Sequence, residues 1–424
     1  MKKPIYKLLG PLFDDLWRKR DFRLLWGSLT ITHFGGQITF LALPLTAALL
    51  LHATPFQVGM LTALEALPYT LFGLFVGVLV DRSRKLPLII IADIGRGLAL
   101  LAVPAAAWFG MLSMPVLYIV GFLAGTGGMV GWAAYQVFMT ERVGRENLVQ
   151  ANSKIALSES SAQLIGPGIA GVAIEWLTAP FAIFLDACTF FISAWMLRSI
   201  HAGPKDTPKP RGWTSVWREI GEGLRLIWHN RLLRSIAWGL GLWNLLRHMY
   251  LAVIILFATR DLALTPGNVG LAWMGGGVGC LAAAFVAKRA NKRLGVGAVM
   301  LGGIFLTGIA WSALAFTQPG SVLTIPLLAG AIFAYDLGGT LFFINYLSLR
   351  QAVTPDHLLG RVISTMIFLT VATAPVGSLL GGALGEIVGL RNTLGVTAIS
   401  GIVLGLLLMR LSPISGIRVL PQHG

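Results

Sequence analysis

Charge is what this sequence has least of. Only 12% of its 424 residues are Asp, Glu, Lys or Arg, about half the usual share of roughly 25% in a soluble domain. So little charge cannot solvate a globule of this size, and most of the exterior must face something other than water. Cysteine is nearly absent too. Cys188 and Cys280 are the only two, both in apolar runs and with no CxxC pair, which argues against a disulfide framework or a zinc site. There is no GxxxxGK[ST] phosphate loop, so nucleotide hydrolysis is not the expected energy source. There is no HExxH, no nucleophile elbow and no cluster of metal ligands. No enzymatic activity, metal or cofactor is expected. Residues 1–23 are polar and basic, and the apolar run after them is too long for the core of a cleaved signal peptide.

What the chain has instead is apolar length. Apolar residues make up 55%, and the mean hydropathy is +0.75. A membrane-spanning helix needs about 20 apolar residues. Twelve stretches qualify, near 24–51, 55–80, 86–108, 114–138, 153–176, 179–198, 234–259, 266–287, 296–316, 322–346, 361–386 and 392–410. The fifth is the most polar, with Glu159 and several serines; the eighth is mostly Gly and Ala. Glycine is abundant, at 51 residues, which suits helices packed backbone to backbone in lipid. The expected fold is all-α and integral to the membrane.

The net charge of +15 does not point to nucleic acid, because the basic residues sit in short loops between the spans. With the amino terminus inside, 29 of the 33 Lys and Arg residues fall on one side. The opposite loops hold only Arg260 and Arg391, and Arg96 and Arg247 lie within spans. This asymmetry puts both termini in the cytoplasm. The bilayer, not a nucleic acid, is the expected partner.

The chain also repeats. Pro55, Val58 and Gly59 open the second span; Pro266, Val269 and Gly270 open the eighth, 211 residues later. Trp26-Gly27 returns as Trp238-Gly239, and Leu148 as Leu358, at nearly the same offset. Six spans followed by six in the same orientation make a parallel repeat, which places a substrate path between the halves. The expected units are 1–198, a cytoplasmic linker 199–233 and 234–424. The linker begins with Pro204, Pro208 and Pro210. It then becomes amphipathic, with Trp213, Val216, Trp217, Ile220, Leu224 and Ile227 on one face. It is either a helix lying on the inner membrane surface or a plain connector.

The loop after the second span reads Gly77-Val78-Leu79-Val80-Asp81-Arg82-Ser83-Arg84-Lys85. It resembles the G-x-x-x-D-R-x-G-R-R/K pattern of the major facilitator superfamily, with Arg84 where the second glycine stands. The resemblance implies a twelve-helix transporter and an inner gate at Gly77, Asp81 and Arg82. Asp81 would be held by a cation of the other half, with Arg361 the candidate, and Asp93 and Arg96 would pair nearby in support. In the fifth span, Gly166-Pro167-Gly168-Ile169-Ala170-Gly171 is similar to the glycine-proline motif of superfamily exporters. This implies export rather than import, although plain helix packing accounts for the same residues. The fourth span has Gly121 where drug exporters often carry an arginine. That departure, with Leu349–Asp356 and Gly360–Val362, resembles the macrolide-efflux and enterobactin-exporter branch.

An ionisable residue inside a span is costly and calls for a reason. Arg247 and Asp336 stand near the middle of the seventh and tenth spans, at one depth, where they can pair and where a substrate or proton can compete for the pair. The alternative is a permanent structural pair. His33 can face the same cavity or simply pack. Glu65 and Glu159 are candidate carriers of a coupling proton. The expected function is secondary active export of amphipathic, drug- or macrolide-like small molecules, by proton exchange, across a bacterial inner membrane and by a monomer. One alternative is a dedicated exporter of a siderophore or other endogenous metabolite. Another is a non-transporting receptor that shares the fold.

Overall fold

The computed structural model describes residues 15–143, 147–200, 213–355 and 358–419. Side-chain surroundings within that range are not described for Asp15, 213–220, 359–361 and 364. Twelve long helices cross back and forth: α1 Arg20–Leu45, α2 Pro55–Arg82, α3 Lys85–Trp108, α4 Met114–Val143, α5 Leu148–Leu177 and α6 Ala179–Arg198, then α7 Arg231–Leu256, α8 Pro266–Leu294, α9 Val296–Ala315, α10 Thr324–Ala352, α11 Leu359–Val371 with Thr373–Ile387, and α12 Leu390–Leu411. Among the described residues, eleven are long and apolar enough to span a bilayer. The twelfth, α5, has 30 residues, but Lys154, Glu159, Gln163 and its serines dilute its hydropathy. It packs against α1 on one side and α8 on the other, while Leu157, Ile165, Ile169 and Val172 are exposed.

The eleventh span was expected as one helix over 361–386. It is two, interrupted at Ala372. Pro375 supplies no N–H to the carbonyl of Val371, so one rung of the ladder is missing. Beside the break, Thr373 Oγ1 lies 2.7 Å from Thr370 O and 3.0 Å from Gly241 O of α7, as donor to these carbonyls. The linker contains a helix, Trp213–His229, that packs against α7 and the first segment of α11. Ile227 faces inward, whereas Leu224 and Trp228 are exposed.

The two six-helix sets repeat in local detail at an offset of 211. α1 runs into a π-helical turn at Thr46–Leu50, and α7 into one at Phe257–Asp261. His52 and Ala263 both take positive φ, at 48° and 53°. Thr54 caps α2 through Gln57 N, and Thr265 caps α8 through Asn268 N, each at 3.3 Å. Each threonine precedes a proline in the first turn, where a missing N–H costs nothing.

On the face away from the basic loops, the two sets lock together through glycine. α2 crosses α11 at Gly59 and Gly382; α5 crosses α8 at Gly171 and Gly270. A Cβ on Gly59 would stand 2.8 Å from Gly382 Cα, and one on Gly270 would stand 2.9 Å from Gly171 Cα. Only glycine permits such an approach. These two crossings are also 211 residues apart on both partners, so one joint is used twice. Lower on α8, Gly277 lies against the backbone of Leu164, extending the seal toward mid-membrane. Trp108, Trp176 and Phe316, at the same ends of α3, α5 and α9, are largely exposed, as in an aromatic belt at a membrane boundary.

Candidate functional site

The polar residues of the second set gather at the middle of α7, α8 and α10. Arg247 Nε donates to Tyr335 Oη at 2.9 Å. Tyr335 is held in an aromatic cluster, its ring 5.2 Å from that of Tyr250 and 5.7 Å from that of Trp311. All three rings are buried. Arg247 and Asp336 attract one another electrostatically, but among the described residues they form no direct ion pair. The guanidinium takes the phenol instead. The Asp336 carboxylate lies against α8 at Gly276, where a Cβ would collide with it. Next along α8, Cys280 Sγ accepts from Thr340 Oγ1 at 3.4 Å.

The first set meets this group through α5 and α1. Glu159 and Asp336 both act electrostatically on Cys280. Glu159 Oε1 accepts from Gln163 Nε2 at 3.5 Å, one helical turn away on the same face. Glu159 also acts on His33 of α1. Polar groups of both six-helix sets thus stand at mid-membrane beneath the glycine seal: Arg247, Tyr335, Asp336 and Cys280 from the second set, and Glu159 and His33 from the first. Arg247, Asp336 and His33 are half-buried. His248 turns away and binds the carbonyl of Asn244 at 2.9 Å.

The sequence profile of the Major Facilitator Superfamily matches residues 25–258 and again 244–422. The chain belongs to the major facilitator superfamily. Among its relatives is a protein named multidrug efflux pump Tap in Mycobacterium tuberculosis, 27% identical over 388 residues, covering 86% of this chain and 87% of that one. Another is the enterobactin exporter EntS of Citrobacter koseri, 26% identical over 381 residues, covering 87% and 86%. Among solved structures, the nucleoside transporter NupG aligns with a TM-score of 0.74 at 12% identity, over 92% of this chain and 98% of its own. A bacterial homologue of the iron transporter ferroportin, in an inward-facing state, gives 0.72 at 18%, over 92% and 98%. At those identities the structures establish the fold alone. The chain is a multi-pass transporter of this superfamily, whose members handle small molecules.

Several expected site residues lie apart from the central group. Glu65 sits half-buried on α2, against Gly121 and Gly125 of α4. Asp93 and Arg96 do not pair with each other. Asp93 accepts from Ser193 Oγ of α6 at 2.6 Å, and the Arg96 guanidinium lies 4.1 Å from the centroid of the Phe190 ring. Arg96 extends past Gly127 and Gly128 of α4. It is at the middle of α3, not at the end beside the basic loops, so it stands away from the expected latch. Asp186, for which the sequence offered no role, joins α6 to α1 by accepting from Thr39 and from Thr189.

At the basic face, Asp81 and Arg82 end α2. The side chain of Arg361 lies outside the described residues; its backbone opens α11, whose first segment packs on α2. Gly77 belongs to the superfamily pattern, yet a Cβ there would meet nothing within 4 Å. Gly77→Ala is therefore expected to fold at least as well as the wild type, because alanine is favoured over glycine in a helix by roughly 1 kcal/mol. A thermal melt in detergent checks this; a marked loss of stability would mean that Gly77 is packed. In α5, Gly166 abuts the Gln37 side chain, the carbonyl of Pro167 faces Gly270, and Gly171 forms the crossing with α8. Sequence reasoning missed Tyr335 and Cys280, which are uncharged and look like ordinary span residues. It also missed Glu175 and Glu386, considered below.

Proposed function

We propose that the chain is a secondary active exporter of amphipathic small molecules, working by alternating access in exchange for protons. The observation that carries this reading is the set of ionisable side chains that both six-helix sets place at mid-membrane, below a seal on the opposite face from the basic loops. Alternating access needs a site shared by both halves and a closure on one side of it. Asp336 and Glu159 are the carboxylates in that site and the candidates to carry the proton. Arg247 would compete with a proton for Asp336, so binding on either would bias the conformational equilibrium. The Phe-, Trp- and Tyr-rich surroundings suit an apolar cargo. Likeness to the Tap pump supports efflux. The basic loops support an inner membrane orientation with both termini cytoplasmic, and Asp81 with Arg361 remains our candidate for the inner latch. We expect a monomer.

A second reading is favoured by the likeness to the enterobactin exporter and by the cations Arg247 and His33: export of one anionic metabolite of siderophore type. Efflux of dyes, macrolides and catecholate siderophores from expressing cells, with and without a protonophore, separates the two. Protonophore-sensitive efflux of several unrelated cationic or neutral compounds supports the broad exporter. Efflux of the siderophore alone supports the dedicated one. Efflux unaffected by the protonophore overturns proton coupling.

A further inference from the structure

Beside each glycine crossing stands a glutamate at the end of its helix. Glu386, at the end of α11, reaches α2: its Oε2 accepts from Thr54 Oγ1 at 2.9 Å and from Phe56 N at 3.1 Å. Glu175, at the end of α5, reaches α8: its Oε2 accepts from Gly267 N at 3.0 Å. Glu175 and Glu386 are 211 residues apart, and so are the backbone donors they accept from, Gly267 N and Phe56 N. The first turn of a helix offers N–H groups with no partner in their own helix, and the aligned peptide dipoles make that end positive. A carboxylate placed there is stabilised, and here each carboxylate comes from the opposite six-helix set. The sequence alone gave no reason to select these two acids among 18 Asp and Glu residues; the repeat makes them a pair.

We infer that Glu175 and Glu386 are positioning residues for transport, a matched pair of inter-half caps that hold the outer side closed. The inference rests on the alternating-access reading above. Glycine lets the helices approach, and the packing sets their crossing angle. The carboxylates add polar contacts that exist only while the helix ends are together. Each must lose its hydrogen bonds when the outer ends of α2 and α11, or of α5 and α8, separate. Arg260 adds a third cross-link on this face, donating from Nη2 to Ala53 O at 2.8 Å. Both glutamates are exposed, so water replaces the lost bonds on opening. The contacts therefore bias the gate and do not bolt it, which is what a transporter that must open in every cycle requires.

Native Cys280 offers a test. Its thiol lies on the far side of the Gly277–Leu164 contact from the outer face, so the outer seal stands between it and an external reagent. In a Cys188→Ser background, right-side-out membranes are treated with a membrane-impermeant maleimide, and the labelling rate of Cys280 is followed. Glu175→Gln and Glu386→Gln are each expected to raise the rate by about fivefold, the order of one helix cap, and the double variant by more than either. Glu→Asp at each position should restore part of the closure, since the charge is kept. Labelling of a cysteine on an exposed loop serves as the control for reagent access, and a thermal melt shows that each variant is folded. Unchanged outside labelling of Cys280 in a folded double Gln variant overturns the inference. Labelling reads the outer opening whether or not a cargo is known, so failure to find any transported compound would count against the exporter reading and not against the caps.

Discussion

Gly171→Val is expected to abolish transport while the chain still inserts in the membrane. A side chain at this position meets Pro266 O at 2.7 Å and the Cα atoms of Gly270 and Gly267 at 3.1 and 3.2 Å. These are backbone atoms on α8 and cannot rotate away. Overpacking of this kind costs about 1–3 kcal/mol, and two conformations of a transporter typically differ by only a few kcal/mol. The outer-closed state would then fall by roughly tenfold to a hundredfold in population. Gly382→Val should do the same from the other side, because its Cβ meets Pro55 O at 2.8 Å and Gly59 Cα at 3.0 Å. Gly302→Val is the control, since nothing lies within 4 Å of a Cβ there. Flux assays combined with outside labelling of Cys280 check the pair. Wild-type flux in Gly171→Val would show that the outer ends need not meet as closely as this structure has them.

The second large effect is expected at Asp336. Asp336→Asn keeps the shape and the contact with Gly276 but removes the negative charge that acts on Arg247. Arg247 makes no direct ion pair with Asp336 and keeps its bond to Tyr335, so the loss of stability should fall below the roughly 3–5 kcal/mol of a broken buried pair. Proton-driven efflux should fall by about a hundredfold under the exchange reading, while any downhill movement of cargo through the protein survives. If the group is a structural pair only, the variant melts lower but exports at the wild-type rate with its protonophore sensitivity intact. Arg247→Gln in the Asn background removes the remaining cation together with its bond to Tyr335, and it should not restore coupled export.

The number of spans was readable because hydropathy and loop charge obey the bilayer directly. α5 was the faintest, for a reason the fold makes clear: a helix shielded by α1 and α8 need not be apolar all round. The repeat was readable at Pro55/Pro266 and Gly59/Gly270, where capping and close packing restrict the residue types. It extended unnoticed to Glu175 and Glu386, because an acid at a helix end resembles any surface acid until its partner is known. The break at Ala372 was hidden by a span whose hydropathy is continuous. In the site, Arg247 and Asp336 were conspicuous as charges in apolar runs, but the bond to Tyr335 depends on how α7 and α10 face each other, which periodicity does not fix. Asp93 and Arg96 misled for the same reason. Their spacing on one helix suits a local pair, and Ser193 and Phe190, brought in by α6, compete successfully for them.

The discontinuity in α11 sets it apart from its counterpart. α5 continues as one helix through the equivalent stretch around Ser161 and carries its proline, Pro167, six residues further on. In α11 the helix is interrupted near its middle, with both segments resting on α2. The two halves thus share their glycine joints but differ in where the ladder between them is weakened, so a bend would centre at a different depth in each.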